Sequence, residues 1–257
     1  MIAYRKGFFR VAELWFDEPL QKVPADILRC VQRSEPRSDG VNERFHTLVV
    51  DLRNAPDRLV AKMKRETRYE IRRASEKDRL VHQFWSQPDD NCLRQFTAFY
   101  DRSALEKDIP RLNTRRIRQF KDLDALVVSM VCREDTELRR PLVWHSYYRS
   151  GHRARLLHST TSPATSVGSE RSLLGRANRF LHWQDMLAFR TQGVEIYDLG
   201  GWYEGHEDSK KIGINHFKEG FGAEMVVNYN CLSGVSPLGM AAIWMYSKLS
   251  SSGHAVL

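Results

Sequence analysis

The chain has 257 residues, of which 42% are hydrophobic and 28% are charged, and its formal net charge is +8 at pH 7. This composition is typical of a globular protein and excludes a disordered chain. The uncharged segment 231–246 falls short of the roughly 20 apolar residues that a membrane span needs. The first residues also lack the apolar run of a signal peptide, so we expect a cytoplasmic protein.

The four cysteines stand far apart and include no Cys-x-x-Cys pair, which predicts reduced and mostly buried thiols. The nine histidines are equally scattered and show no spacing typical of metal ligands. We therefore expect neither a disulfide framework nor a bound metal.

The hydrophobic pattern alternates between helical and strand-like periods along the whole chain. In chain order, it predicts a strand over 8–16, a short helix over 25–32, a strand over 47–52, a helix over 56–77, a strand over 80–84, helices over 89–105 and 111–121, three strands over 127–132, 142–148 and 153–160, a polar loop over 161–169, a helix over 172–191, a strand over 194–199, a helix over 209–219, a strand over 223–231 and a helix over 237–249. The three consecutive strands predict an antiparallel meander, because a tight turn joins the last two.

Three segments of this pattern carry recognisable motifs. They are Arg-Tyr-Glu-Ile-Arg-Arg-Ala at 68–74, Asn-Arg-Phe-Leu-His-Trp at 178–183 followed by Gly193 and Tyr-Asp-Leu-Gly-Gly at 197–201, and Gly-Ile-Asn-His-Phe-Lys-Glu-Gly-Phe-Gly at 213–222. In order and spacing they resemble the FemAB-like branch of the GNAT acyltransferase superfamily. The resemblance implies an α/β (α+β) fold with a GNAT-like mixed, mostly antiparallel central sheet flanked by helices.

The resemblance spans about 47–231 and suggests how the chain is divided. We expect an N-terminal strand and helix extension over 1–46 and a FemAB-like domain over 47–257. Within that domain we expect a reduced first half over 47–121, a core over 122–231 and a C-terminal helix over 237–249. The peptidoglycan-bridge enzymes of this family are longer, with two GNAT-like halves and often an arm that binds transfer RNA.

The activity that the resemblance implies is N-acyl transfer, in which an acceptor amine attacks an activated carbonyl directly and no acyl-enzyme forms. We expect an acyl-coenzyme A donor, with an aminoacyl-transfer RNA as the rival. The expected acceptor is an amine on a small molecule or on a peptidoglycan or polysaccharide precursor of the bacterial cell envelope. The alternative of another class is a nonenzymatic domain that binds nucleic acid or an anionic surface on a degenerate GNAT fold.

The donor site is predicted where the polar loop enters the long helix, because free backbone N–H groups at a helix N-terminus suit a phosphate. Its candidate residues are Gly168, Arg171, Gly175, Arg176 and Ala177. The two arginines would add charge-assisted contacts. The alternative is an ordinary helix start, capped by a serine, with solvated arginines.

Three residues are candidates for the chemistry. Lys218 lies in the Phe-Lys pair of the third motif, where the resemblance implies the reaction site, and its ammonium could stabilise an oxyanion; the alternative is a surface lysine. Strand alternation places His158 on the same face as Leu156, as a candidate base or as a core histidine. Asp198 precedes a Gly-Gly turn and could take a proton or cap that turn.

The segment after Asp198 is the predicted substrate-binding region. Its candidate residues are Gly200, Gly201 and Tyr203, because glycines let another molecule approach the backbone closely and the loop displays side chains. Phe217 of the third motif is a further candidate, because the resemblance implies that the Phe-Lys pair lies at the acceptor site. The stretches 58–79 and 111–121 are rich in arginine and lysine, which suits an anionic partner, although acidic residues within the first stretch also predict a salt-bridged surface.

Overall fold

The computed structural model describes residues 1–19, 24–134, 140–162 and 168–250. These residues form two compact units, of which the first comprises Met1–Thr47 and Met225–Leu257 and the second Leu48–Glu224. The boundary between Thr47 and Leu48 lies one residue from the boundary predicted after residue 46. The last strand and helix, which we assigned to the domain 47–257, group instead with the N-terminal segment.

The described chain contains ten strands and seven helices. In chain order they are β1 Ile2–Lys6, β2 Phe9–Trp15, β3 Ile27–Arg33, β4 Gly40–Asp51, α1 Pro56–Lys62, α2 Arg65–Glu76, β5 Leu80–Trp85, α3 Asp90–Lys107, α4 Thr114–Asp122, β6 Leu126–Arg133, β7 Pro141–Ser150, β8 Arg153–Thr161, α5 Gly168–Thr191, β9 Ile196–Gly201, α6 Ser209–Glu219, β10 Glu224–Gly234 and α7 Pro237–Ser250. Within these ranges no helix is both long and apolar enough to cross a bilayer. Of the polar loop predicted over 161–169, residues 163–167 lie outside the description.

The first unit contains the strand order β1-β2-β3-β10, with β2 and β3 parallel and the other two pairs antiparallel. The short helix predicted over 25–32 is wrong, because this segment is the strand β3. Leu28 and Cys30 of β3 are buried against Leu14 and Cys231 of the neighbouring strands. That burial needs alternating side chains, and so it favours a strand over the helix suggested by the local pattern.

The second unit contains the order β9-β8-β7-β6-β5, preceded by the last residues of β4. Strands β5 to β8 are antiparallel neighbours, and β9 joins β8 in parallel. Strands β6, β7 and β8 thus form the predicted meander. The prediction of a mixed, mostly antiparallel sheet is confirmed.

Helices cover both faces of the second unit's sheet. On one face, Met186 and Phe189 of α5 lie in one cluster with Tyr147 and Leu199. On the other face, α3 and α4 place Phe96 against Trp144 and Phe120 against Tyr148. Neighbouring residues of β7 therefore point to opposite helical layers, as the pleat of a strand requires.

The helix predicted over 56–77 is interrupted, so α1 and α2 are separate. Met63 and Lys64 are both extended, with ψ of 147°. The break buries Met63, the Lys64 N–H donates to the Gly220 carbonyl, and Arg68 Nη1 donates to the Met63 carbonyl at 2.8 Å. Arg68 of the first motif therefore stabilises the end of α1.

Candidate active site

The site forms where β8 and β9 part. The two strands pair through only three residue pairs, from Arg153 with Ile196 to Arg155 with Asp198. Strand β8 continues to Thr161 and β9 to Gly201, and no further pair between them occurs among the described residues. The backbone beyond Asp198 is therefore not covered by a neighbouring strand on this side.

A tight bend ends β9 in this gap. Gly200 has φ of +80°, a conformation that other residues adopt only with strain. A Cβ at Gly200 would lie 3.6 Å from the Leu156 carbonyl oxygen and 4.0 Å from Lys218 Nζ. Gly200 is thus close to both the β8 backbone and the ammonium of α6.

Lys218 reaches the bend from α6. Its Nζ donates to the carbonyl oxygen of Gly201 at 2.6 Å. Burial lowers the pKa of Lys218 to about 8; the Asp198 carboxylate opposes this shift, and Arg155 adds to it. At pH 7 the side chain is still mainly an ammonium, although it holds its proton far less tightly than a solvated lysine. Lys218 is thus partly buried and not fully exposed to solvent.

Asp198 is fully buried and lies beside the same bend. Its Oδ2 accepts hydrogen bonds from Nε and Nη2 of Arg153 at 3.2 and 2.6 Å, and its Oδ1 accepts from the Gly200 N–H at 2.7 Å. These contacts match the turn-capping alternative. The carboxylate neutralises Arg153 and holds Gly200 in its bend.

The prediction that His158 shares a face with Leu156 is wrong. A bulge shifts the register of β7 and β8, so that Leu156 pairs with Tyr147 while His158 pairs with Ser146. The extra residue reverses the alternation. Leu156 packs toward α5, whereas His158 contacts Phe96 and Tyr100 of α3.

The surroundings of His158 make it a weak base. Its Nδ1 lies 2.8 Å from the Ser146 hydroxyl oxygen. Burial lowers the pKa of His158 to about 4, and the nearby Arg155 contributes to the shift. The imidazole is therefore uncharged at neutral pH, and these contacts are those of the core-histidine alternative.

The remaining substrate-site candidates shape the loop and the helix around Lys218. Asn215 bonds to both the N–H and the carbonyl of Tyr203, which fixes the loop after β9. Phe217 packs between the guanidinium of Arg179, at 4.8 Å, and the ring of Phe221. Ile214 of the same helix is 51% exposed, and Asn215 is the buried residue of α6.

Some of the predicted donor residues lie at the start of α5, and the others lie further along the helix. Helix α5 begins at Gly168, so the free N–H groups belong to Gly168 and its successors up to Arg171, and Gly175 lies well inside the helix. Arg176 forms an ion pair with Asp78 at 2.5 and 3.0 Å, and Ala177 is fully buried. Only Gly168 and the exposed Arg171 therefore remain at a helix terminus suited to a phosphate.

The sequence analysis missed a buried polar network between α5 and the sheet, on the face that α5 covers. Asp185 of α5 accepts from Ser129 and Tyr147 at 2.8 and 2.6 Å, and from His82 at 2.9 Å. Burial opposes ionisation, but hydrogen bonds from His145 and His82 outweigh it and hold the pKa of Asp185 below its usual range.

The network continues through hydroxyl groups to a second histidine. The hydroxyl oxygens of Tyr147 and Tyr197 are 2.7 Å apart, and His182 Nδ1 lies 2.7 Å from the latter. The available signal was the spacing of Asn178, His182 and Asp185, which places three polar residues on one face of a largely apolar helix.

The order of elements, the meander, and the separation of the parallel pair at a glycine bend match the GNAT-like fold that the three motifs predicted. Comparison with solved structures agrees. The structure of FemX matches with a TM-score of 0.60 at 12% sequence identity, over 80% of this chain and 72% of that one.

The C-terminal domain of a putative lysylphosphatidylglycerol synthetase from Agrobacterium fabrum matches with a TM-score of 0.52 at 13% identity, over 87% of this chain and 72% of that one. No family model matches the sequence, and a search of curated proteins found no match. The similarity therefore establishes a shared fold, and the chemistry has to be argued from the site.

Proposed function

We propose that this protein is a GNAT-type N-acyltransferase, in which an acceptor amine attacks an activated carbonyl bound in the gap between β8 and β9. The observation that carries the proposal is Lys218. A partly buried ammonium with a lowered pKa lies on the bend where the backbone of β9 is uncovered. A stability role alone does not explain it, because burial of a charged lysine costs free energy.

Lys218 is suited to stabilise the oxyanion that forms when the amine attacks. In a partly buried site its charge is screened less than in water, so the attraction to a developing negative oxygen is large. The contact with the Gly201 carbonyl fixes Nζ before substrate binds, which lowers the cost of reorganisation. Asp198 and Arg153 act behind it by holding the bend.

The donor that we propose is an acyl-coenzyme A, with its phosphates at the first turn of α5 near Gly168 and Arg171. Arg176 is not part of this proposal, because Asp78 already neutralises it. The rival donor is an aminoacyl-transfer RNA. We propose an acceptor amine on a small molecule or a cell-envelope precursor. We also propose a cytoplasmic location.

The proposal is tested by acyl transfer in the Lys218→Ala variant. Turnover is followed with acetyl-coenzyme A and a panel of amines, and in parallel with aminoacyl-transfer RNA. We expect turnover to fall by about 100-fold or more, the usual effect of removing one oxyanion partner. Lys218→Arg should recover part of it, because the positive charge remains.

The matched control is Lys210→Ala, which changes an exposed lysine of the same helix and should leave turnover intact. A folded Lys218→Ala variant with full activity would contradict the role of this residue. Absence of turnover with either donor, together with RNA binding that weakens steeply with salt, would favour the nonenzymatic alternative.

A further inference from the structure

A groove of about 630 Å³ is lined by residues of α2 and α5 in the second unit. Its volume lies within the range typical of small-ligand sites. Lys218, Gly200 and Gly201 are not among the described residues that line it. The groove is therefore distinct from the candidate active site.

The charged side chains of the groove are mainly positive. Arg65, Arg68 and Arg72 line it at helical spacing along α2, and Glu76 is the one acidic lining residue within the described chain. Arg68 donates through Nη1 to the carbonyls at the end of α1, so it is held in place there. Arginines on one helix face suit a phosphate, which accepts several hydrogen bonds at once.

Two aromatic side chains complete the lining. Tyr69 is 51% exposed, and it lines the groove next to the arginines. Trp183 of α5 also lines the groove, and it rests on the core of the unit. An aromatic ring that is both accessible and fixed on a helix offers a stacking surface to a flat ligand.

We propose that this groove is a binding site for a nucleoside phosphate, with the phosphate on the arginines of α2 and the base on Tyr69 and Trp183. The combination is more selective than charge alone, because a simple anion would use only the arginines. The ligand is either a free nucleotide or a nucleotide unit of a single-stranded RNA, since both present the same chemistry.

Binding is measured by titrating the full chain with adenosine 5′-monophosphate, with a hexaribonucleotide and with pyrophosphate, at fixed ionic strength. We expect saturable binding of the nucleotide. Arg72→Gln should weaken it about tenfold, as loss of a charge-assisted contact does. Tyr69→Ala should weaken it at least fivefold through lost stacking. Arg115→Gln, on an exposed position of α4 outside the groove, should have no such effect.

Tighter binding of the hexaribonucleotide than of the mononucleotide, with both Arg72 and Tyr69 required, would support the site and assign it to RNA. Equal or tighter binding of the mononucleotide would support the site and assign it to a free nucleotide. Pyrophosphate binding as tight as nucleotide binding would overturn the proposal. So would equal losses in Arg72→Gln and Arg115→Gln, or no saturable binding. No acyl donor is present, so failure here is distinguishable from failure of the acyltransferase proposal.

Discussion

Replacing Lys218 by methionine should change how the stability of the protein depends on pH. The pKa of this lysine falls from 10.5 to about 8 in the folded protein, mainly because burial penalises the charged form. Between these values the unfolded chain binds more protons than the folded one, so the free energy of unfolding must rise with pH. Methionine has a similar shape and no proton to lose.

The magnitude follows from the two pKa values. A shift from 10.5 to about 8 corresponds to a penalty of roughly 3 kcal/mol when the lysine is charged in both states. Between pH 7.5 and pH 10 about 2 kcal/mol of this penalty is relieved. The wild type should therefore gain about 2 kcal/mol relative to Lys218→Met over that interval.

The assay is urea denaturation of the wild type and of Lys218→Met at several pH values. In the difference between their free energies of unfolding, the contributions of groups that titrate alike in both proteins cancel. Lys210→Met is the control, since Lys210 is exposed on the same helix and should track the wild type. Parallel pH profiles for wild type and Lys218→Met would refute the lowered pKa. The argument for a weakly held proton at the site would then fail as well.

Two further substitutions test the support of the site. Gly200→Ala should lower the free energy of unfolding by about 1–2 kcal/mol, because alanine is strained at φ of +80°. The control Gly213→Ala, in open space within α6, should be neutral or stabilising. Chemical denaturation compares the two variants, and equal effects would contradict the strain argument. Arg153→Met should cost about 3–5 kcal/mol by leaving the fully buried Asp198 carboxylate uncompensated, and a thermally stable variant with reduced turnover would instead return Asp198 to a catalytic role.

Most element types could be predicted from local pattern, and the errors have physical causes. The strand β3 was predicted as a helix because Ala25–Gln32 is short, and only its pairing with β2 and β10 reveals the alternating burial. The break between α1 and α2 depends on Gly220 and Gly222, which are more than 150 residues away. Neither contact leaves a local trace in the sequence.

In the candidate site, too, some features could be predicted from local sequence and others depend on distant residues. The motif at 213–222 is sufficient to single out Lys218, because the Phe-Lys pair and the glycines occur in a recognisable local order. The lowered pKa of Lys218 depends instead on burial first, with a further lowering by Arg155 and an opposing effect of Asp198, and these two residues belong to two other strands.

What the sequence by itself determined is the fold class, through the periods of its helices and strands and through three ordered motifs, since these are properties of neighbouring residues. Tertiary structure alone decided which face of β8 carries His158, because one bulge residue in β8 reverses the alternation. It also decided the contacts of Asp198 and Arg176, because their partners Arg153 and Asp78 are 45 and 98 residues away along the chain. Charge, burial and proton affinity at a site depend on such distant groups, and local pattern carries no record of them.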